Sequence, residues 1–150
     1  MLLRRLVALL ALGNALVAFY LHLWKTGKVG ALVCAAGHGC EIAQFSQWGW
    51  FLGVDVALIG TVGYLLILGA ALWGTLNDAT AADPRPTLLL AALVTGGFLF
   101  TLRLKYAEFV ILKTFCPWCA ISAVSMTVLV GLVWADWRRV RAGRRLPESA

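Results

Sequence analysis

Two cysteines stand two residues apart in "KTFCPWCAISAV", Lys113 to Val124, where the chain enters a run without charge that lasts to Ala135. Pro117, between them, suits the first turn of a helix, where its missing N–H has no partner to lose. Cys116 then falls at the helix N-cap, with Cys119 about one turn deeper, roughly 4.5 Å along the axis. A helix N-terminus stabilises thiolates and lowers their pKa. A structural disulfide across so small a loop gains little, because stabilisation grows with loop length. The spacing therefore suits a disulfide that closes and reopens.

A second pair, Cys34 and Cys40, brackets "AAGHG" in a Gly/Ala-rich stretch. A loop of this kind can swing, offer its disulfide to a group outside and then offer a thiolate to the CxxC. Two electrons would pass through mixed disulfides in this way. One mobile pair and one fixed pair form a relay. Two bland alternatives stay open, and both describe a non-catalytic membrane protein. In one, the four cysteines, or three of them with His38, form a zinc site, although C-x5-C is looser than the usual ligand spacing. In the other, two static disulfides hold the loop down.

The elements that must position these cysteines are apolar. The 150 residues are 61% hydrophobic, with a mean hydropathy of +0.85, whereas a soluble domain is about 45–50% apolar. Uncharged runs extend over Leu6–Trp24, Val56–Asn77, Thr87–Leu102 and Thr114–Ala135. A helix needs roughly 20 apolar residues to cross a bilayer. The third run is short, but Arg103 and Lys105 can snorkel and Tyr106 can sit at the headgroups. The expectation is an all-α integral membrane protein, a single domain over 1–150. Its four transmembrane helices lie at about 4–24, 52–75, 87–107 and 115–136, and a cysteine-bearing outer loop caps them. "MLLRR" resembles the start of a cleaved leader, but its apolar run is longer than a leader's. "TLNDATAADPRP", Thr75 to Pro86, reads as a polar turn broken at Asp83-Pro84. Gly60, Gly63, Gly96 and Gly97 read as sites of close helix approach.

Four spans put both termini on one side. That side carries Arg4, Arg5, Arg85, Arg138, Arg139, Arg141, Arg144 and Arg145. The other carries Lys25, Lys28, Arg103, Lys105 and Lys113. Basic residues concentrate on the cytoplasmic side, so the termini are expected inside and all four cysteines outside the inner (plasma) membrane. The arginine cluster near the C-terminus suits anionic lipid headgroups. The net charge of +6 is then a topology signal, not a nucleic-acid footprint. An oxidising compartment favours disulfide chemistry over free thiols.

At these residues the chain resembles the vitamin K epoxide reductase family, its bacterial members in particular. "FSQWGWFLGVDVALIGTVGY", Phe45 to Tyr64, is similar to the family's Ser/Thr-x-Trp-Gly segment leading into helix two. Ser46 and Trp48 follow Cys40 at the family's spacing. "YAEFVILKTFCPWCAISAV", Tyr106 to Val124, resembles the bacterial approach to the CxxC. The resemblance implies a bundle that binds a quinone near the outer face and forms disulfide bonds. Cys34 would meet the partner, Cys40 would attack Cys116, and Cys119 would pass electrons to the quinone. Ser46 and Trp48 would border the pocket. Alignment on Gly60 and Tyr64 puts Val56 where animal members carry an asparagine, and Ala123 where they carry a tyrosine. Asp55, beside Val56, either substitutes as the polar group or faces water at the helix end; the second is the simpler expectation. A respiratory quinone (menaquinone or ubiquinone) suits these positions better than vitamin K epoxide. Bacterial relatives often carry a fused thioredoxin-like domain; here a separate thioredoxin-like partner of the DsbA type is expected.

Overall fold

The computed structural model describes residues 2–34, 37–76 and 84–145. Helix α1 runs Leu2–Lys25 and the short α2 Gly39–Phe45. A single 3-10 turn, Gln47–Gly49, leads into strands β1, Trp50–Phe51, and β2, Val54–Asp55. Helices α3, Val56–Trp73, α4, Pro84–Tyr106, and α5, Pro117–Arg145, complete the chain. Four of these helices are long and apolar enough to cross a membrane. Leu9, Leu16, Leu99 and Val124 are more than half exposed, a pattern that suits lipid and not water. The protein is a multi-pass membrane protein.

Boundaries differ from expectation where local chemistry decides them. Helix two was expected from residue 52, but residues 50–55 first turn back as an antiparallel hairpin pairing Trp50 with Asp55. Leu52 and Gly53 sit at φ 53° and 79°, the positive values that a tight hairpin turn demands. Asp55 then starts α3, its carboxylate accepting the Ala57 N–H at 3.1 Å. Helix α4 begins before residue 87, because Pro84 and Pro86 are tolerated in a first turn. A π-helical turn, Ala107–Ile111, extends it. Together they turn the short third run into a span of 28 residues. Helix α5 continues past residue 136. Most of the expected polar turn, residues 77–83, lies outside the described residues.

Helices α1 and α3 pack side by side, as do α4 and α5, and the ring closes through α1 with α5 and α3 with α4. One half of the bundle is filled. Val7, Ala11, Ile67, Leu90, Leu129 and Val133 form its core. Arg4 closes that end at 3% exposure. It donates to Asp136 Oδ2 at 2.8 Å, to the Gly74 carbonyl at 2.6 Å and to Thr87 Oγ1 at 2.7 Å. One guanidinium therefore joins all four long helices. The absence of a side chain at Gly74 lets the guanidinium come this close, since a Cβ there would stand 2.6 Å from Arg4 Nη1. Arg4, counted above with the basic residues of the terminal side, is buried in the bundle against Asp136.

The opposite end is tied by Asp55, and the expectation that it faces water is overturned: it is 4% exposed. Lys25 Nζ donates to Oδ1 at 2.9 Å and to the Gly49 carbonyl at 2.8 Å. His22 Nδ1 lies 2.7 Å from Oδ2. Burial opposes ionisation of Asp55, but Lys25, His22 and the Ala57 N–H outweigh it and hold the carboxyl below its ordinary range. Breaking a buried ion pair on one side costs about 3–5 kcal/mol, because the other charge is stranded. Arg4→Leu is therefore expected to lower unfolding stability in detergent by that order. Equal denaturation midpoints for variant and parent would show that the cluster is not what closes this end.

Candidate active site

Above the filled half the bundle is hollow. A cavity of about 330 Å³ lies between the long helices, lined mainly by apolar side chains and reaching Trp48, Tyr64, Ser122 and Cys119. The glycines expected to permit close helix contact mostly line this space instead. A Cβ at Gly63 or Gly96 would meet nothing within 4 Å, and one at Gly60 only Ala18 at 3.7 Å. Gly97 alone meets a close neighbour, Met126 Cε at 2.9 Å. Gly63 and Gly96 therefore border open space, whereas Gly60 and Gly97 also stand against a neighbouring helix.

Cys116 immediately precedes α5, and the Ala120 N–H donates to its carbonyl at 2.9 Å. The Cys119 N–H donates to the Cys116 sulfur at 3.3 Å, so the sulfur occupies the place of an N-capping oxygen. The Cys119 thiol and then its N–H hold the Cys116 thiol below its ordinary pKa, with Lys105 helping; burial and the Glu108 charge oppose them. Both thiols of this pair are free. Cys119 borders the cavity, and Gln44 Nε2 lies 3.6 Å from its sulfur.

Cys34 and Cys40 form a disulfide. Cys40 is fully buried and Cys34 half-buried. The loop rests directly on the approach to the CxxC. A Cβ at Gly39 would overlap the Phe115 carbonyl oxygen and stand 2.9 Å from Thr114 Oγ1. One residue further along each segment come Cys40 and Cys116, both at 0% exposure. Trp118, inside the CxxC, donates its indole N–H to the Val33 carbonyl at 3.1 Å and so pins the segment leading to Cys34. The two pairs thus share one end of the bundle, opposite Arg4 and the start of α1. Among the described residues no three His, Cys, Asp or Glu side chains converge as a metal site.

Of the expected pocket residues, Trp48, Val56, Gly60 and Tyr64 line the cavity. Ser46 and Ala123 are not among the lining residues; the Ser46 hydroxyl donates to the Ala43 carbonyl at 2.9 Å. Trp48 Nε1 is buried without a hydrogen-bond partner among the described residues, under the Arg103 guanidinium 4.9 Å from its ring. An apolar cleft of this size with a few convergent polar groups is the usual form of a small-molecule site. A quinone fits it: the ring would lie among apolar side chains, with the Trp48 N–H free to donate to a carbonyl.

Two features escaped the sequence reading. Glu108, 4% exposed, accepts the Cys116 N–H at 2.7 Å and the Lys105 ammonium at 2.7 Å. It reaches Cys116 because the π-helical turn swings it inward, and such turns recur at functional sites. Gln44 sits on α2, a helix too short to announce itself by periodicity.

Residues 5–134 match the sequence profile of the vitamin K epoxide reductase family. The chain belongs to that family. Membership makes it a membrane oxidoreductase of the vitamin K epoxide reductase type, with two cysteine pairs at one end of its bundle. It is also similar to part of the genome polyprotein of Kyasanur forest disease virus, at 30% identity over 122 residues. That match covers 79% of this chain and 3% of the polyprotein's length.

The Glu108 charge works against the Cys116 thiolate, and a glutamine can still accept the Cys116 N–H. Glu108→Gln is therefore expected to move the pH profile of Cys116 alkylation to lower pH. An unmoved profile would show that Glu108 anchors the backbone without tuning the thiol.

Proposed function

We propose that this family member is a quinone-dependent thiol–disulfide oxidoreductase that serves disulfide-bond formation. The observation that carries the proposal is the seating of Gly39–Cys40 on Phe115–Cys116, with Cys119 next in line at the cavity wall. A reduced thioredoxin-like partner, of the DsbA type, attacks Cys34, the more exposed member of its pair. A surface depression lined by Trp24, Leu32, His38 and Glu41 borders this disulfide and offers room for the partner. The partner's two thiols become a disulfide, and Cys34 and Cys40 become thiols. Cys40 then attacks Cys116 of the inner pair in its disulfide form, which releases Cys119 as a thiol, and Cys34 attacks Cys40, which re-forms the loop disulfide and releases Cys116 as a thiol. Each exchange moves two electrons through a mixed disulfide.

A quinone bound in the cavity accepts two electrons and two protons and leaves as quinol. Cys116 and Cys119 supply both electrons and both protons as their disulfide closes again. Cys119 faces the cavity, and Gln44 orients its sulfur. Trp48 donates to the ring, and the walls at Val56, Gly60 and Tyr64 exclude water. Menaquinone or ubiquinone is the proposed acceptor.

The proposed membrane is the inner (plasma) membrane, with termini cytoplasmic and cysteines outside. The arginines of α5 and the needs of a disulfide oxidase both support this placement. An impermeant maleimide applied to intact cells after reduction should label the loop cysteines. Labelling only after permeabilisation would invert the topology.

Cys119→Ala is expected to abolish quinone reduction by purified protein, seen as loss of the quinone absorbance change, while the loop pair still exchanges with a donor. Substantial residual turnover would remove Cys119 from its role. Cys34→Ala should impair a folded protein donor far more than dithiothreitol, because a small dithiol can reach the inner pair directly. Equal losses with both donors would contradict the order of the relay.

A further inference from the structure

Asn14 sits on α1 among apolar neighbours, 6% exposed. Its Nδ2 donates to the Leu10 carbonyl at 2.9 Å. That bond fixes the amide and leaves Oδ1 buried and without a partner among the described residues. Asn14 lines the cavity. A buried acceptor left unsatisfied is costly, and a leucine would fill the same volume without the cost. The cavity wall therefore carries an acceptor that the fold itself does not use.

The level of this atom follows from helix packing. Helices α1 and α3 run antiparallel, and Gly60 stands opposite Ala18. Four residues along each helix, Asn14 stands opposite Tyr64. The Tyr64 hydroxyl lies 2.7 Å from Ser122 Oγ, and Ser122 is three residues deeper than Cys119, roughly 4.5 Å along α5. Asn14, Tyr64 and Ser122 therefore form a polar belt about one turn below the reacting sulfur. That interval is comparable to the distance between the two oxygens of a six-membered quinone ring. Val56 and Ala123 offer no polar side chain; at this depth the polar side chains on the cavity wall are the belt and Thr101, whose hydroxyl already donates to the Gly97 carbonyl at 2.9 Å.

We propose that Asn14 is a positioning residue whose free Oδ1 accepts a hydrogen bond from the hydroxyl of the reduced ring, so that the cavity favours quinol over quinone. The inference rests on the quinone reading above. The preference is set at Oδ1, because the amide nitrogen is turned to the Leu10 carbonyl. A quinone oxygen can only accept, and so can Asn14 Oδ1, so the two face each other without a proton between them. A quinol hydroxyl donates and satisfies the atom. The Tyr64–Ser122 pair can turn either hydroxyl toward the ring and so serves both forms. Tighter binding of the product form draws electrons out of Cys116 and Cys119 by the ratio of the two affinities.

The test measures dissociation constants for a short-chain quinone and its quinol under anaerobic conditions. A Cys119→Ala background prevents electron exchange during the measurement. Asn14→Leu should weaken quinol binding about tenfold, the worth of one buried hydrogen bond, and leave quinone binding within about twofold. The ligand-free protein should melt no earlier than its parent, since a stranded acceptor has been removed. Asn14→Ala reads the same ratio if the leucine variant does not fold. Equal losses for both ring forms, or an unchanged ratio with normal quinone binding, overturns the role of Asn14 alone. Failure of the parent to bind either form overturns the quinone reading together with this one.

Discussion

The cysteine end of the bundle depends on one backbone contact, Gly39 lying against Thr114 and Phe115. No side chain fits between these segments, and the closeness brings the loop disulfide to the first residue of the CxxC. Thiol–disulfide exchange needs sulfur to approach sulfur, so a relay works only if the outer pair can settle on the inner pair. The contact is held on two sides. Trp118 grips Val33 ahead of Cys34, and Lys25 grips Gly49 behind α2. The loop is thus fastened at both ends, while Cys34 stays within reach of solvent.

The rest of the fold serves to hold a void open beneath that contact. Apolar side chains in lipid gain nothing from meeting each other by the hydrophobic effect, so polar clusters fix the ends of the bundle. Arg4 joins four helices at one end, and Asp55 joins α1, the hairpin and α3 at the other. Between them the half near Arg4 is packed and the half near Cys119 is not. Small residues on α3 and α4 keep the upper half empty, and Glu108 ties α4 to the start of α5. The same architecture therefore supplies stability at one end and a ligand space at the other.

Much of this was legible in the sequence. Charge-free runs marked the four membrane helices, and Pro117 marked the start of α5 with Cys116 just ahead of it. The order of the two cysteine pairs and the Ser46-x-Trp48 segment pointed to the family. What stayed hidden was partnership. Asp55 looks like a solvated helix start until Lys25 and His22, 30 and 33 residues away, are folded beside it. The partner of Arg4 is hidden as well, because Asp136 arrives from the other end of the chain. Gly63 and Gly96 look like packing glycines because a sequence does not show whether a small residue faces a helix or a hole. Glu108 sat in plain view among apolar residues, and only the π-helical turn decides that it points inward.

The central claim is that electrons pass from Cys40 to Cys116. A double variant, Cys34→Ala with Cys119→Ala, leaves those two thiols as the only ones in the chain and removes the partners that would resolve their mixed disulfide. After mild oxidation in the membrane, mass spectrometry of the digested protein should find one intramolecular link, joining the peptides that contain Cys40 and Cys116. Two free thiols, or links only between separate molecules, would show that the loop does not deliver Cys40 to the CxxC.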